Sequence, residues 1–224
     1  MSAHNVANRA VEKGLSIIAV TDHNSMANCP VYQKIAESLG LIFFWGVEIQ
    51  TIEEIHIIAL FDNNDLAREF DSELYESLLP VTNNPDFFGD QVVIDENEDI
   101  IRFEDKALIN SSTWSLQDLI EKLTLLDCFY FPAHIDAETY SIIGQLGFIP
   151  SDIEFPALGI TAGCDLPEFL KIRPELTNYP FIRNSDAHYL KEIGSGYTDF
   201  FLEEATLKEI RFACQKIGSR KYVV

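Results

Sequence analysis

Four of the five histidines in this 224-residue sequence stand beside short apolar segments, and two carboxylates stand in similar places. The six residues are His23, His56, His134, His188, Glu48 and Asp186. Imidazole and carboxylate groups are protein ligands that suit Zn, Mn and Fe. A carboxylate can also bridge two ions, and such a pair can hold a phosphate and lower the pKa of a bound water. The six side chains therefore predict a multi-metal hydrolytic site, provided that the fold brings them together.

The elements that must position these residues are short apolar strands alternating with amphipathic helices, which indicates an α/β fold. The predicted strands cover residues 15–20, 41–49, 54–61, 128–132, 180–184 and 199–202. The predicted helices cover about 4–14, 27–39, 65–79, 115–127 and 204–217, with Ser115 as the N-cap of the fourth. Residues 137–180 have a mixed, Pro/Gly-rich pattern.

Active sites of α/β folds collect at the carboxyl ends of the strands. His23, Glu48, His134 and His188 all lie at or just after such ends. His56 begins its strand instead, and only seven residues separate it from Glu48. That interval is too short for a parallel crossover, so the two strands should form an antiparallel hairpin. The hairpin would bring His56 to the same end of the sheet.

The alternation of side chains along a strand indicates which residues point into this cluster. Asp186 and His188 are two residues apart and should face the same way in an extended segment. Asp22 and His23 are adjacent, so we expect His23 to point into the site and Asp22 to support it from outside the ligand set. His4 lies in a helix near the start of the sequence and is predicted to be on the surface.

Residues 80–112 interrupt the alternation with a stretch rich in turn residues. The segments QVVID and DIIRF flank ENE within it, a pattern typical of a hairpin. About 30 residues bury too little apolar surface to fold alone. We therefore predict a single domain over 1–224 with an insertion at 80–112.

The charge balance limits the choice of partners. Lys and Arg number 16 against 36 Asp and Glu, a net charge of −20. This argues against a long nucleic acid or an anionic membrane as partner. A small phosphorylated substrate remains compatible, because metal ions supply positive charge locally. The sequence has no apolar segment of membrane-spanning length, no secretory signal core and no CxxC pair, so a cytoplasmic protein with reduced thiols is expected.

Five motifs resemble the PHP (polymerase and histidinol phosphatase) family, in the family's order. They are AVTDHNS (19–25), GVEIQ (46–50), HIIAL (56–60), FPAHID (131–136) and NSDAHYLKEIGSG (184–196). The resemblance implies a distorted (β/α)7 barrel of the bacterial metal-dependent phosphoesterase type, with up to three divalent ions. It implies that Glu48 bridges two metals, that His56 and His134 share one with it, that Asp186 binds the second, and that His23 and His188 bind the third. No catalytic residue beyond these ligands is implied.

The family pattern starts with a strand carrying His-x-His, whereas this sequence opens on MSAHNVANRAVEKG. The resemblance therefore implies that the first strand of the barrel is missing. We expect fewer than three metals in the chain as given, and weakened or lost activity. Unpaired strand edges would favour a homo-oligomer.

The function predicted from these features is hydrolysis of a small phosphate ester or nucleotide by a metal-activated water. Two alternatives stay open. The same ligand set is compatible with hydrolysis of non-phosphate esters or amides. A chain lacking its first strand is also compatible with a non-enzymatic, degenerate metal-binding module.

Overall fold

The computed structural model describes every residue, Met1–Val224, and has a mixed α/β fold. The helices are α1 (Ala3–Glu12), α2 (Cys29–Ser38), α3 (Asn64–Ser77), α4 (Pro85–Phe88), α5 (Leu116–Leu125), α6 (Ile142–Leu146), α7 (Leu166–Ile172) and α8 (Leu207–Cys214), with 3-10 turns at Pro174–Leu176 and Leu190–Glu192. The strands are β1 (Ile17–Val20), β2 (Ile42–Gln50), β3 (His56–Phe61), β4 (Val92–Ile94), β5 (Ile100–Phe103), β6 (Phe129–Pro132), β7 (Leu158–Ile160), β8 (Phe181–Arg183), β9 (Asp199–Phe201) and β10 (Lys221–Val223). No helix is long and apolar enough to span a bilayer.

A four-stranded sheet in the order β1-β2-β3-β6 forms the centre of the molecule. Strand β1 runs parallel to β2, whereas β3 runs antiparallel to both β2 and β6. Gln50 pairs with His56 across the β2–β3 hairpin. The antiparallel hairpin predicted from the seven-residue interval is therefore confirmed.

The other strands form three separate two-stranded sheets, β4–β5, β7–β8 and β9–β10. Strand β1 pairs only with β2, and β8 pairs only with β7, so the sheets do not close on one another. The mixed α/β class is confirmed, but the predicted (β/α)7 barrel is not. Within residues 137–180 the structure contains α6, β7 and α7, which the sequence pattern did not resolve.

The two faces of β2 differ in chemistry, and this difference creates the site. Phe43, Trp45, Val47 and Ile49 point into the larger apolar core. On the opposite face, Phe44 follows the exposed Ile42 and packs in a second, smaller apolar cluster. By strand parity the same face continues through Gly46, Glu48 and Gln50. One face of the strand thus changes from apolar to polar toward its carboxyl end.

Two local predictions are confirmed. Ser115 caps α5, and it forms a capping box with Asp118. Within residues 80–112, β4 and β5 form an antiparallel hairpin. The side chain of Asn28 holds this hairpin by donating to the Val92 carbonyl and accepting from the Ile94 amide.

Candidate metal centre

Four of the predicted ligands meet at the carboxyl end of β2. Glu48 lies near the end of β2, and His56 opens the neighbouring strand β3. His23 follows β1 and forms an isolated parallel bridge with Glu48. His134 follows β6, two residues beyond its end. Three of the predicted strand ends and one strand start therefore converge.

Glu48 lies between three imidazoles. Its Oε2 is 3.2 Å from His23 Nδ1 and 3.3 Å from His56 Nδ1. Its Oε1 is 3.6 Å from His134 Nε2, which lies 3.3 Å from His56 Nδ1. The side chains of Glu48 and His56 are only 8% and 7% exposed, so this cluster is buried.

These spacings fit a divalent metal. Ligands about 2.0–2.2 Å from a tetrahedral ion lie about 3.3–3.6 Å from one another. The separations among Glu48, His56 and His134 match that interval, and the one between Glu48 and His23 is only slightly shorter. The Nδ1 atoms of His23 and His134 are also buried without a hydrogen-bond partner. A buried polar atom left without a partner is costly, and for His23 a metal next to Glu48 would remove that cost.

The site electrostatics follow from the same contacts. Burial raises the pKa of Glu48, but the hydrogen bond from His134 and the charges of the neighbouring imidazoles outweigh burial, so the pKa lies below its usual range. Burial lowers the pKa of His134, but its hydrogen bond and charge interaction with Glu48 leave that pKa raised overall. Burial dominates for His23, whose pKa is lowered. Glu48 is therefore an anion near neutral pH.

Asp186 and His188 lie at the exposed rim of this cluster. The rings of His188 and His23 are 6.4 Å apart, and the main-chain oxygen of Asp186 is 3.1 Å from His188 Nδ1. The charge of Asp186 opposes the effect of burial on the pKa values of both His23 and His134, which indicates that Asp186 is close to both. The metal roles of Asp186 and His188 stay predictions.

Two further predicted residues lie outside the cluster. Asp22 is exposed, and only its main-chain oxygen joins the site, by accepting from the Glu48 amide. Its side chain has no hydrogen bond with the His23 ring, so its supporting role stays a prediction. His4 is exposed on α1 and contacts Glu98, as expected for a surface histidine.

Sequence reasoning missed three residues that surround the ligands. Asn24 is fully buried and accepts from the Gln50 amide. The Gln50 side chain reaches His56, and the Tyr140 ring stacks on the His56 ring at 4.8 Å and 9°. Parity could have identified Gln50, because it is two residues after Glu48 on the same strand face. Nothing local indicates Tyr140, which is 84 residues from His56.

Strained backbone is concentrated at this place. Half of the eight non-glycine residues with positive φ belong to the site or touch it: Asn24 (50°), His134 (32°), Tyr140 (56°) and Asp186 (45°). Such conformations cost roughly 1–3 kcal/mol each and cluster at functional sites.

Most of the chain matches a known protein family. The model of the PHP domain matches residues 1–142, and the model of a PHP-associated region matches residues 175–216. The chain belongs to the PHP family. The resemblance in the five motifs is thereby confirmed.

Individual relatives agree with this assignment. The uncharacterized protein YqxK of Bacillus subtilis is 29% identical over 113 residues, which is 47% of this chain and 28% of YqxK. The lesion-specific endonuclease PfuEndoQ of Pyrococcus furiosus superimposes with a TM-score of 0.75 at 20% identity, over 100% of this chain and 53% of that one. A complex of Endonuclease Q with a 27-mer duplex carrying an abasic lesion superimposes with a TM-score of 0.68 at 19% identity. The match covers 97% of this chain and 52% of that chain. A Bifidobacterium adolescentis protein, provisionally assigned as a metal-dependent phosphoesterase, superimposes with a TM-score of 0.56 at 15% identity. The match covers 84% of this chain and 82% of that chain.

The chain matches only part of the length of several of these proteins. The chain spans about a quarter of YqxK and about half of the Endonuclease Q chains. At 15–20% identity, the solved structures show a shared fold alone. Since one of these neighbours holds a DNA duplex, the exclusion of long nucleic acid stays a prediction from net charge.

Proposed function

We propose that this chain is a metal-dependent phosphoesterase that hydrolyses a small phosphate ester or a nucleotide. The observation that carries the proposal is the buried Glu48 carboxylate surrounded by three imidazoles at metal-ligand spacing. Membership of the PHP family supports the same chemistry. The provisional phosphoesterase assignment of one neighbour, and the endonuclease activity of another, agree with it.

The buried residues of the site and its exposed residues would have different roles. Glu48, His56 and His134 would hold one divalent ion (Zn, Mn or Fe). His23 contacts the same Glu48 oxygen as His56 and lies within metal-ligand distance of both, so it would hold a second ion that shares the Glu48 carboxylate. Bound ions of this kind lower the pKa of a water molecule and neutralise the charge that develops on a phosphate. The burial of Glu48 keeps bulk water away from the cluster. The exposed Asp186 and His188 would complete the metal site on the side open to substrate.

The substrate class follows from charge. A net charge of −20 repels extended polyanions, so a compact phosphate ester is favoured. A nucleic-acid substrate is nevertheless part of the test, because Endonuclease Q binds duplex DNA. The assay therefore includes p-nitrophenyl phosphate, a mononucleotide, and a duplex oligonucleotide with one abasic site.

The first experiment measures metal content. The purified protein is incubated with Zn, Mn or Fe, desalted and analysed for ions per chain. We expect at least one tightly held ion, which His134→Ala should largely remove and the surface control His4→Ala should retain. Unchanged metal content in the His134 variant would refute the ligand assignment. A metal-free native protein would refute the proposed metal centre altogether.

Activity then separates the alternatives. Hydrolysis of a phosphate ester that depends on added metal and is lost in His134→Ala supports the phosphoesterase. Hydrolysis of carboxylic esters or amides alone would favour the alternative hydrolase. Metal binding without any hydrolysis would favour a non-enzymatic metal-binding module.

We also propose that residues 1–224 form one PHP-like domain, an open and distorted relative of the (β/α)7 barrel, with 80–112 as its insertion. One apolar core draws residues from Ala3 in α1 as far along the chain as Ile193, which supports a single folding unit. The free edge of β1 is where a homo-oligomer would pair, and light scattering of the purified protein tests this.

A further inference from the structure

Gln50 is a buried polar residue of the site that the proposed chemistry does not use. It is the last residue of β2, faces the same side as Glu48, and is 6% exposed. It also lies directly opposite His56 in the β2–β3 ladder. This placement puts its amide next to the imidazole that contacts both Glu48 and His134.

The hydrogen bonds of Gln50 distinguish the two nitrogens of His56. Gln50 Oε1 lies 3.2 Å from His56 Nε2, and Gln50 Nε2 donates to Ser111 Oγ at 3.0 Å. An amide oxygen only accepts, so His56 Nε2 must carry the proton in this arrangement. The other nitrogen, Nδ1, then carries the lone pair, which can accept a hydrogen bond from His134 Nε2 at 3.3 Å.

The remaining contacts hold the His56 ring in this orientation. The Tyr140 ring stacks on the His56 ring nearly in parallel, and the Tyr140 carbonyl accepts from the His56 amide. Stacking fixes the plane of the imidazole but does not distinguish its nitrogens. The hydrogen bond that Gln50 Oε1 accepts from His56 Nε2 makes that distinction.

We propose that Gln50 is a positioning residue that selects the Nε2-protonated tautomer of His56, so that His56 binds a divalent metal through Nδ1. The inference rests on the proposed metal centre for its consequence, but its first test needs no metal. Groups that hydrogen-bond the far side of a metal-bound histidine typically change metal affinity by about 10–100-fold. Ser111 lies in the insertion at 80–112, after the β4–β5 hairpin, so this contact also connects the insertion with the site.

The first measurement is the tautomer of His56 in the metal-free protein. Long-range ¹⁵N–¹H correlation at alkaline pH, where the imidazoles are neutral, reports which ring nitrogen carries the proton. We expect the Nε2-protonated form in the native protein and in Gln50→Glu, which keeps an acceptor. In Gln50→Met we expect a shift toward the Nδ1-protonated form, which can donate to Glu48. A native protein with its proton on Nδ1 would refute the proposal.

The second measurement is metal affinity, from competition with a chromophoric chelator. Gln50→Met should bind Zn about 10–100-fold more weakly, and Gln50→Glu should stay within a few-fold of the native protein. Gln33→Met is the matched control, because it removes another hydrogen-bonded glutamine amide, whose oxygen accepts from Trp45 and Asn64 and not from a histidine of the site. That control should lower stability without changing Zn affinity.

The outcomes of the two proposals differ. Native Zn affinity in Gln50→Met, with the fold intact by circular dichroism, would overturn the role of Gln50 while leaving the metal centre standing. A native protein that binds no metal would overturn the proposed function, whereas the tautomer measurement would still decide the assignment of Gln50.

Discussion

Replacing Gly46 by alanine would test whether close packing between β1 and β2 holds the site together. Gly46 lies two residues before Glu48 on the same strand face. A β-carbon there would lie 2.7 Å from Thr21 Cγ2, 2.8 Å from Leu60 Cδ2 and 3.1 Å from the Val20 carbonyl oxygen. Two of these neighbours are side-chain ends that can rotate. The carbonyl belongs to the main chain, so relieving that contact requires β1 to move.

The expected cost follows from overpacking. Forcing an extra methyl into a packed interior typically costs about 1–3 kcal/mol. The movement would also reach the metal centre, because Thr21 is two residues before His23, which is 3.2 Å from Glu48. We therefore expect Gly46→Ala to weaken metal binding roughly 10-fold, the low end for disturbed support of a ligand.

Gly163→Ala is the matched control. A β-carbon at Gly163 meets nothing within 4 Å, and its backbone does not occupy the positive-φ region. Both variants lose similar freedom in the unfolded chain, so their difference isolates the overpacking. The free energies of unfolding of the two variants, measured with urea, should differ by about 1–3 kcal/mol. Their Tm values should differ by about 2–4 °C for each kcal/mol.

A Gly46→Ala variant that is as stable as Gly163→Ala and binds Zn with native affinity would refute the role of this contact. Lower stability with unchanged affinity would show that the β1–β2 contact supports the fold but does not set the distance between His23 and Glu48.

Four further predictions concern the rest of the molecule. Burial raises the pKa values of the Cys29, Cys128 and Cys214 thiols to about 12, so they should react slowly with Ellman's reagent until the protein unfolds. Because unfolded thiols release their protons near pH 8.5, the free energy of unfolding should fall as pH rises from about 8.5 toward 12, which urea titrations at several pH values would detect. Ser115→Ala removes the capping box of α5 and should cost about 1 kcal/mol in the same assay, with no change in metal content. Asn28→Ala removes both hydrogen bonds that attach the β4–β5 hairpin to the loop before α2, so limited proteolysis should cut residues 80–112 faster than in the native protein.

The tertiary structure decided features that depend on contacts between distant segments. Tyr140 reaches the His56 ring through a loop in a region whose sequence pattern was mixed. The separate, open sheets likewise depend on which strands pair, and local hydrophobic periodicity does not encode pairing between remote strands. For the same reason, the exposure of Asp186 and His188 at the rim was not predictable. The orientation of the His56 ring also depends on tertiary contacts. Which of its nitrogens faces Glu48 depends on Gln50 and Ser111, which lie on two different segments.

The sequence by itself determined the features that arise from short-range rules. Apolar periodicity located β2, β3 and β6, and a seven-residue interval was enough to require the antiparallel hairpin that carries His56 back to Glu48. Strand ends then predicted the meeting of His23, Glu48, His56 and His134, because parallel strands end on one side of a sheet. Those rules act within a dozen residues or at one sheet edge, so they can be read from the chain. The ring orientations and the open sheets required the folded molecule, because they result from side chains that only folding brings into contact.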